Sequence, residues 1–286
     1  MAVDRPFHGL HDSTDTAQVT GAAVEAFAAR YGDVRFEPMT VVIAAYEEED
    51  NIGAVIDETP REIAGLPVTI LVIVDGGTDR TPEVAAGHGA LVCQLPVNRG
   101  HGVALRLGYR LAREHGARFI ATLDADGQWD PADLPAMVDL LVRDEADFVV
   151  GSRQLGSTRD TDAFRNLGVR CFSLLASVLT RTRLTDTSSG LRAMRSEVTA
   201  VVPLRQPQYQ TSELLVGAVL HGFRVAEVPT TMRPRLSGTS KKGHNLIYGV
   251  RYARVLVGTW RRERRPGRRP AVAAAPQPQY QRSPGR

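Results

Sequence analysis

Apolar residues fall along this chain in two rhythms. Short runs at residues 40–45, 68–74, 90–95 and 118–123, with a briefer one at 147–150, read as strands. The second, Val68 to Val74, is apolar almost throughout, which implies burial on both faces. Between these runs the spacing changes and predicts helices over 51–64, 81–87, 103–115 and 131–145. In the last of them Leu134, Met137, Val138, Leu140 and Leu141 fit a 3.6-residue period. Asp50 or Asn51 can cap the first, and Pro82 suits the opening turn of the second. Strand–helix alternation at this spacing predicts an α/β fold: a single Rossmann-like, mostly parallel sheet flanked by helices. After Arg153 the rhythm shifts to a long helix (164–180), a second helix (211–220), a β segment (224–231) and a final helix (245–260). This reads as a small C-terminal β/helical extension. Residues 1–38 form an N-terminal extension with a short helix near 19–30.

Open parallel sheets bind ligands beyond the carboxyl ends of their strands, and the unusual polar residues lie there. Tyr46-Glu-Glu48-Glu-Asp50 follows the first strand and Asp75-Gly-Gly-Thr-Asp79 the second. Asp124-Ala125-Asp126-Gly-Gln128 follows the fourth, and Gly151-Ser-Arg153 the fifth. An Asp-x-Asp alone is ordinary turn chemistry. At a strand end, with an amide oxygen two residues on, it becomes a hard-oxygen edge suited to Mg²⁺ or Mn²⁺.

Composition changes this picture only slightly. At 43% hydrophobic and 23% charged residues, the chain can fill a sizeable core. The net charge of +3 is unevenly placed: residues 261–286 hold eight Arg against Glu263, so the remainder is net acidic. That tail, residues 263–286, is rich in Pro, Ala and Gln and is expected to stay disordered. No aromatic-interleaved basic motif accompanies it, so no nucleic-acid partner is expected. Cys93 and Cys171 both sit in apolar contexts and read as reduced core thiols. With no secretory leader and no run of about 20 apolar residues, the chain is expected to be cytoplasmic or peripheral at the membrane's cytoplasmic face. In the final helix Leu246, Ile247, Val250, Val257 and Trp260 alternate with Arg251 and Arg254. This suits a helix lying on anionic lipid, or equally one docked on the domain with snorkelling arginines.

Taken in series, these motifs resemble the family 2 glycosyltransferases of GT-A fold, nearest the dolichyl- and polyprenyl-phosphate sugar transferases. That branch carries Pro-x-Tyr-Asn-Glu where this chain has Ala44-Ala-Tyr46-Glu47-Glu48. Its Val-Asp-Asp-Gly-Ser-x-Asp-x-Thr faces Val74-Asp75-Gly-Gly-Thr78-Asp79-Arg-Thr81, one residue short and lacking the second Asp. Asn98 to Ala104, Asp124 to Gln128, Gly151 to Arg153, Asp186 to Gly190 and Arg235 to Lys241 match further motifs in order. Val169 stands where the branch has a Ser, four residues after the Arg of the middle helix. The resemblance covers roughly residues 39–245, leaving 246–262 as an amphipathic helix.

The resemblance implies an inverting, metal-dependent transfer from a nucleotide-diphosphate sugar. Asp124, Asp126 and Gln128 would hold the metal, while Ala44, Tyr46, Glu48, Asp75 and Ala125 would line the donor. Arg153, Arg235 and Lys241 suit phosphate oxygens, and residues 235–243 form a candidate closing loop. The acceptor is a lipid phosphate, which needs no base, or a soluble hydroxyl compound, for which Asp186 or Glu213 would serve as base. The alternative to an enzyme is a non-catalytic nucleotide-sugar-binding protein, against which the intact Asp124-x-Asp126-x-Gln128 argues.

Overall fold

The computed structural model describes residues 13–158, 163–206, 208–237 and 246–264. Its elements, in chain order, are α1 (Ser13–Tyr31), β1 (Met39–Ala45), α2 (Ile52–Glu58), β2 (Glu62–Ile63), β3 (Leu66–Asp75), α3 (Thr81–Gly87) and β4 (Leu91–Leu95). Then come α4 (His101–Glu114), β5 (Phe119–Asp124), a 3-10 turn (Pro131–Asp133), α5 (Leu134–Val142), β6 (Phe148–Thr158) and α6 (Ala163–Thr180). β7 (Arg192–Arg195), α7 (Ser196–Val201), α8 (Gln210–Leu220), β8 (Val225–Met232) and α9 (Leu246–Glu263) complete it.

One sheet runs β4-β3-β1-β5-β7-β6-β8, with β2 antiparallel to the start of β3. β4, β3, β1 and β5 are mutually parallel, β6 and β8 likewise. β7 runs antiparallel between β5 and β6. Alternation along the central strands feeds two apolar layers. Val42, Leu71 and Ile73 join α1, α4 and α8 on one face, while Val41, Ile43, Val72 and Val74 join α2 and α5 on the other.

The expected α/β sheet with GT-A character is present, with several local differences. α2 stops at Glu58 because Pro60 forces Thr59 into an extended conformation, ψ 119°. The chain then turns back through Ala64 and Gly65, both at positive φ, to make the β2–β3 hairpin. β6 does not end before Gly151-Ser-Arg153 but carries those residues within the strand, paired to β8 as far as Thr158. β7 was not anticipated, since four residues flanked by arginines carry no apolar rhythm. α1 is longer than expected, and its Ala23 and Phe27, with Phe36, belong to the main core, so residues 13–38 pack into the domain. Cys93 is a buried thiol as expected, its pKa pushed up to about 12 by burial. Cys171 is exposed on α6, contrary to the core reading, because its apolar neighbours lie on the helix's outer face.

Of the two readings of the final helix, the docked one is observed. Tyr252, Val255 and Leu256 are buried. Arg262 bonds Glu213 at 2.6 Å and Glu263 bonds His221 at 3.0 Å, fastening α9 to α8.

Candidate active site

Parallel register brings the strand ends together. Ala44 lies beside Asp124 on one side and Ile73 on the other, and Ala45 pairs Val74. Tyr46, Asp75 and Asp124 therefore leave the sheet at one level. Asp75 is buried, and its two oxygens accept from the amides of Arg99 (2.7 Å) and Gly100 (2.8 Å). Burial raises its pKa, opposed by those two bonds and the Arg99 charge. Gly100, at φ +94°, opens α4, so the Asn98–Ala104 motif delivers an amide to Asp75. In the shortened second motif Gly76 has φ +71°, and a Cβ there would lie 2.5 Å from the amide nitrogen of Asn98. An Asp at that place would not fit. Tyr46 is half-buried, and burial together with Glu47, Asp75 and Asp79 holds its phenol above the usual range.

The Asp124–Gln128 loop is braced from several sides. Trp129, directly after Gln128, donates its indole N–H to Asp124 Oδ2 at 3.0 Å. Gly190 abuts the same carboxylate so closely that a Cβ would stand 2.2 Å from Oδ2, and its carbonyl accepts from Thr122 Oγ1. The glycine of the Asp186–Gly190 motif is thus required by the aspartate of the other motif. Asp126 Oδ1 accepts from the Gln128 amide at 3.1 Å, and Oδ2 meets Arg235 Nη2 at 3.1 Å. Arg235 also reaches Glu48 Oε1 at 3.0 Å. The segment after β8 runs over this loop: the Arg233 amide donates to the Gln128 carbonyl, and the Leu236 amide to that of Asp126. Ala125 is buried beneath it. Lys241 and most of the 235–243 loop lie outside the described residues, as does the tail beyond Arg264.

Arg153 and Asp186 meet in the interior. Asp186 is fully buried and takes two bonds from Arg153, Nε to Oδ2 at 2.7 Å and Nη2 to Oδ1 at 3.2 Å. The guanidinium faces the Trp129 ring at 5.6 Å and also donates to Ser188 Oγ. A continuous path therefore runs from Asp186 through Arg153 and Trp129 to Asp124. Glu227, half-buried on β8, accepts from the amides of Thr185 and Asp186 and fixes that loop. Glu213 lies elsewhere. It is fully buried, and it accepts from the amides of Arg205 and Gln206 as well as from Arg262.

Trp129, Arg192 and Glu227 were not singled out from the sequence. Arg192 is wholly buried and donates to the carbonyls of Ser189, Thr187 and Thr211, tying the 186–190 loop to α8. An indole immediately following the Asp-x-Asp-x-Gln run was the available signal for Trp129. Nothing in the one-dimensional pattern marks Arg192 as interior.

The fit to a divalent cation can be judged from the donors. Among the described residues no group of three or more His, Cys, Asp or Glu comes together. Two carboxylates on one loop suit a hard ion that takes its other ligands from phosphate oxygens and water, as Mg²⁺ does. The position draws positive charge, since the Arg235 guanidinium already rests between Asp126 and Glu48. The residues fit the ion.

Such a sheet, with acidic residues at its parallel strand ends and a buried arginine–aspartate pair behind them, has the GT-A fold of a glycosyltransferase. The glycosyl transferase family 2 profile matches residues 40–202, and the chain belongs to that family. It is 32% identical over 204 residues to a dolichyl-phosphate hexose transferase of Haloferax volcanii, covering 71% of this chain and 86% of the relative. Identity to a dodecaprenyl-phosphate galacturonate synthase of Rhizobium johnstonii is 28% over 220 residues, 74% of this chain and 64% of that one. The fold resembles glucosyl-3-phosphoglycerate synthase from Mycobacterium tuberculosis, solved with Mn²⁺, UDP and glucosyl-3-phosphoglycerate. There the TM-score is 0.60 at 21% identity, over 92% of this chain and 86% of that one.

Proposed function

We propose that this glycosyltransferase moves a sugar from a nucleotide-diphosphate donor onto a polyprenyl phosphate, with inversion, using Mg²⁺ or Mn²⁺. The observation that carries the acceptor choice is the state of the two candidate bases. Asp186 is fully buried with both oxygens bonded to Arg153, and Glu213 is fully buried with both oxygens bonded to backbone amides and Arg262. Neither is placed to take a proton from a hydroxyl. A phosphate acceptor is already anionic and needs no proton removed, so it matches a site in which neither of these two carboxylates is available as a base. The dolichyl-phosphate and dodecaprenyl-phosphate relatives support the same choice.

In this reading Asp124, Asp126 and Gln128 hold the cation. When bound, it neutralises the charge that develops on the departing diphosphate. Tyr46, Glu48 and Asp75 line the nucleotide end, with Ala44 and Ala125 forming its floor. Arg235 and Lys241 approach the phosphates from the segment after β8. Arg153, held rigid by Asp186, keeps a positive charge behind Trp129 and the metal loop. Peripheral contact with a membrane belongs to the same proposal, because a polyprenyl acceptor resides in a bilayer.

A second reading, transfer to a soluble hydroxyl acceptor, is favoured by two observations. Among the described residues no helix is long and apolar enough to cross a membrane, and Val169, where the lipid branch has a Ser, is buried against the domain. A donor panel offered with polyprenyl phosphate or with a water-soluble metabolite extract, and partitioned between butanol and water, decides the matter. Label entering butanol only with polyprenyl phosphate is the expected result. Label confined to the water phase with the extract would overturn it.

A further inference from the structure

Helix α6 carries an apolar stripe that the domain does not cover. Leu167 is 58% exposed, Leu174 67% and Val178 67%, and Cys171 is exposed between them. The spacing 167, 171, 174, 178 keeps all four on one line of an α-helix. The opposite line, Val169, Ser173, Ala176 and Thr180, is buried in the domain. Isolated exposed leucines are ordinary, but an ordered row of them on one helix marks a contact surface.

The charges around the row say what it meets. α6 contains no acidic residue. Arg170 flanks the stripe, and Arg181 and Arg183 lie exposed just past its end. The adjacent helix α9, joined to α6 where the Phe172 and Tyr252 rings meet at a tilt of 42° and 4.6 Å, exposes Val250, Arg251, Arg254 and Arg261. A second copy of this chain placed on the stripe by two-fold symmetry would set these arginines against their own counterparts. An anionic lipid surface takes both parts, the leucines into the acyl boundary and the guanidinium groups among the headgroups.

The helix is also placed for it. α6 follows the strand that carries Arg153, and Arg170 bonds Gln154 on that strand at 3.1 Å. Ser177 bonds the Leu184 amide at 2.9 Å, just ahead of Asp186.

We propose that the outer face of α6, through Leu167, Leu174 and Val178, seats the enzyme on an anionic bilayer and so presents the site to a lipid-borne acceptor. The inference rests on the polyprenyl-phosphate reading, but its test does not. Cys171 is the accessible thiol and Cys93 is buried, so a polarity-sensitive maleimide dye reports on the stripe itself. With vesicles of phosphatidylcholine containing phosphatidylglycerol the dye should shift to the blue, and the unlabelled protein should float with them. Pure phosphatidylcholine should give a much weaker response. The variant L167Q/L174Q/V178Q, changed only at exposed positions, should keep its far-UV spectrum and its transfer to a short, water-soluble prenyl phosphate. Its vesicle partitioning should fall by at least about tenfold. No shift and no flotation with anionic vesicles would overturn the inference, as would a blue shift that grows with protein concentration without lipid, which would give the stripe to a second copy. Loss of prenyl-phosphate transfer with flotation intact would instead remove the acceptor reading and leave the surface standing.

Discussion

In the proposed reading Arg235 lies where the divalent cation binds, and replacing it should separate metal binding from donor binding. Its Nη2 stands 3.1 Å from Asp126 Oδ2 and 3.0 Å from Glu48 Oε1, with side-chain exposures of 19%, 13% and 9% for the three groups. At such separations a unit charge pair in a partly buried setting has an attraction of about 4 kcal/mol at an effective dielectric of 20. Desolvation and side-chain ordering cancel much of that, leaving on the order of 1–2 kcal/mol for the contact. A divalent ion arriving without donor must displace the guanidinium or share the carboxylate with it. In Arg235→Ala the competitor is gone, and Asp126 and Glu48 each lose the guanidinium they shared. Mn²⁺ alone should then bind roughly tenfold more tightly, the equivalent of about 1.4 kcal/mol. The donor diphosphate, deprived of an arginine partner, should bind more weakly by a similar factor.

The protein carries its own reporter for this. Trp129 bonds Asp124 at 3.0 Å, so paramagnetic Mn²⁺ at that carboxylate should quench its fluorescence. The chain has two tryptophans, and Trp129→Phe isolates the signal of Trp260 for subtraction. Titration of Mn²⁺ into the wild type and into Arg235→Ala, first alone and then with a nucleoside diphosphate, gives both constants. If Mn²⁺ alone binds the variant no more tightly than the wild type, the guanidinium does not compete for the metal position. The electrostatic account of Arg235 would then be wrong.

Further consequences can be measured without knowing the sugar. Gly190→Ala would put a Cβ 2.2 Å from Asp124 Oδ2, so the variant should fold by circular dichroism yet lose Mn²⁺ quenching of Trp129; unchanged quenching would show that the close packing is not needed. Asp126→Ala should abolish transfer with its melting temperature near that of the wild type, and near-normal turnover would remove it from the metal set. Asp186→Asn leaves Arg153 buried beside a neutral partner and should destabilise the fold by about 3–5 kcal/mol in urea unfolding. A fully stable but inactive Asp186→Asn would instead favour a base role. The carboxyl of Glu263, despite burial that opposes it, is held below the usual range by hydrogen bonds from His221 and Arg262. Its contribution to α9 docking is therefore complete above the unfolded value of about 4.3 and fades as pH falls through the lower folded value. Urea midpoints should drop across that acidic window less steeply in Glu263→Gln than in the wild type.

The parts of the fold that the sequence made legible are those in which local pattern and burial agree. β1, β5 and the second half of β3 are apolar runs buried on both faces, so the strands and the polar residues at their ends could be read directly, whereas the register that sets Asp124 beside Ala44 is seen only in the structure. What escaped is governed by contacts between distant segments. β7 is a strand because β5 and β6 leave a slot between them, and Arg192 is interior because carbonyls from residues 187, 189 and 211 converge on it. Neither fact is encoded in a period. The same distinction separates the site residues. Tyr46, Asp75, Asp124 and Asp126 were located by their position after a strand. The partners of Arg153 and Arg235 come from loops 33 and 109 residues away, and those partners decide what the arginines do. Pairing makes Asp186 the partner of Arg153 and, in the proposed reading, makes Arg235 the resident cation of a carboxylate that a metal would claim. The chemistry of this site is therefore set less by which charged residues are present than by which of them arrive already paired.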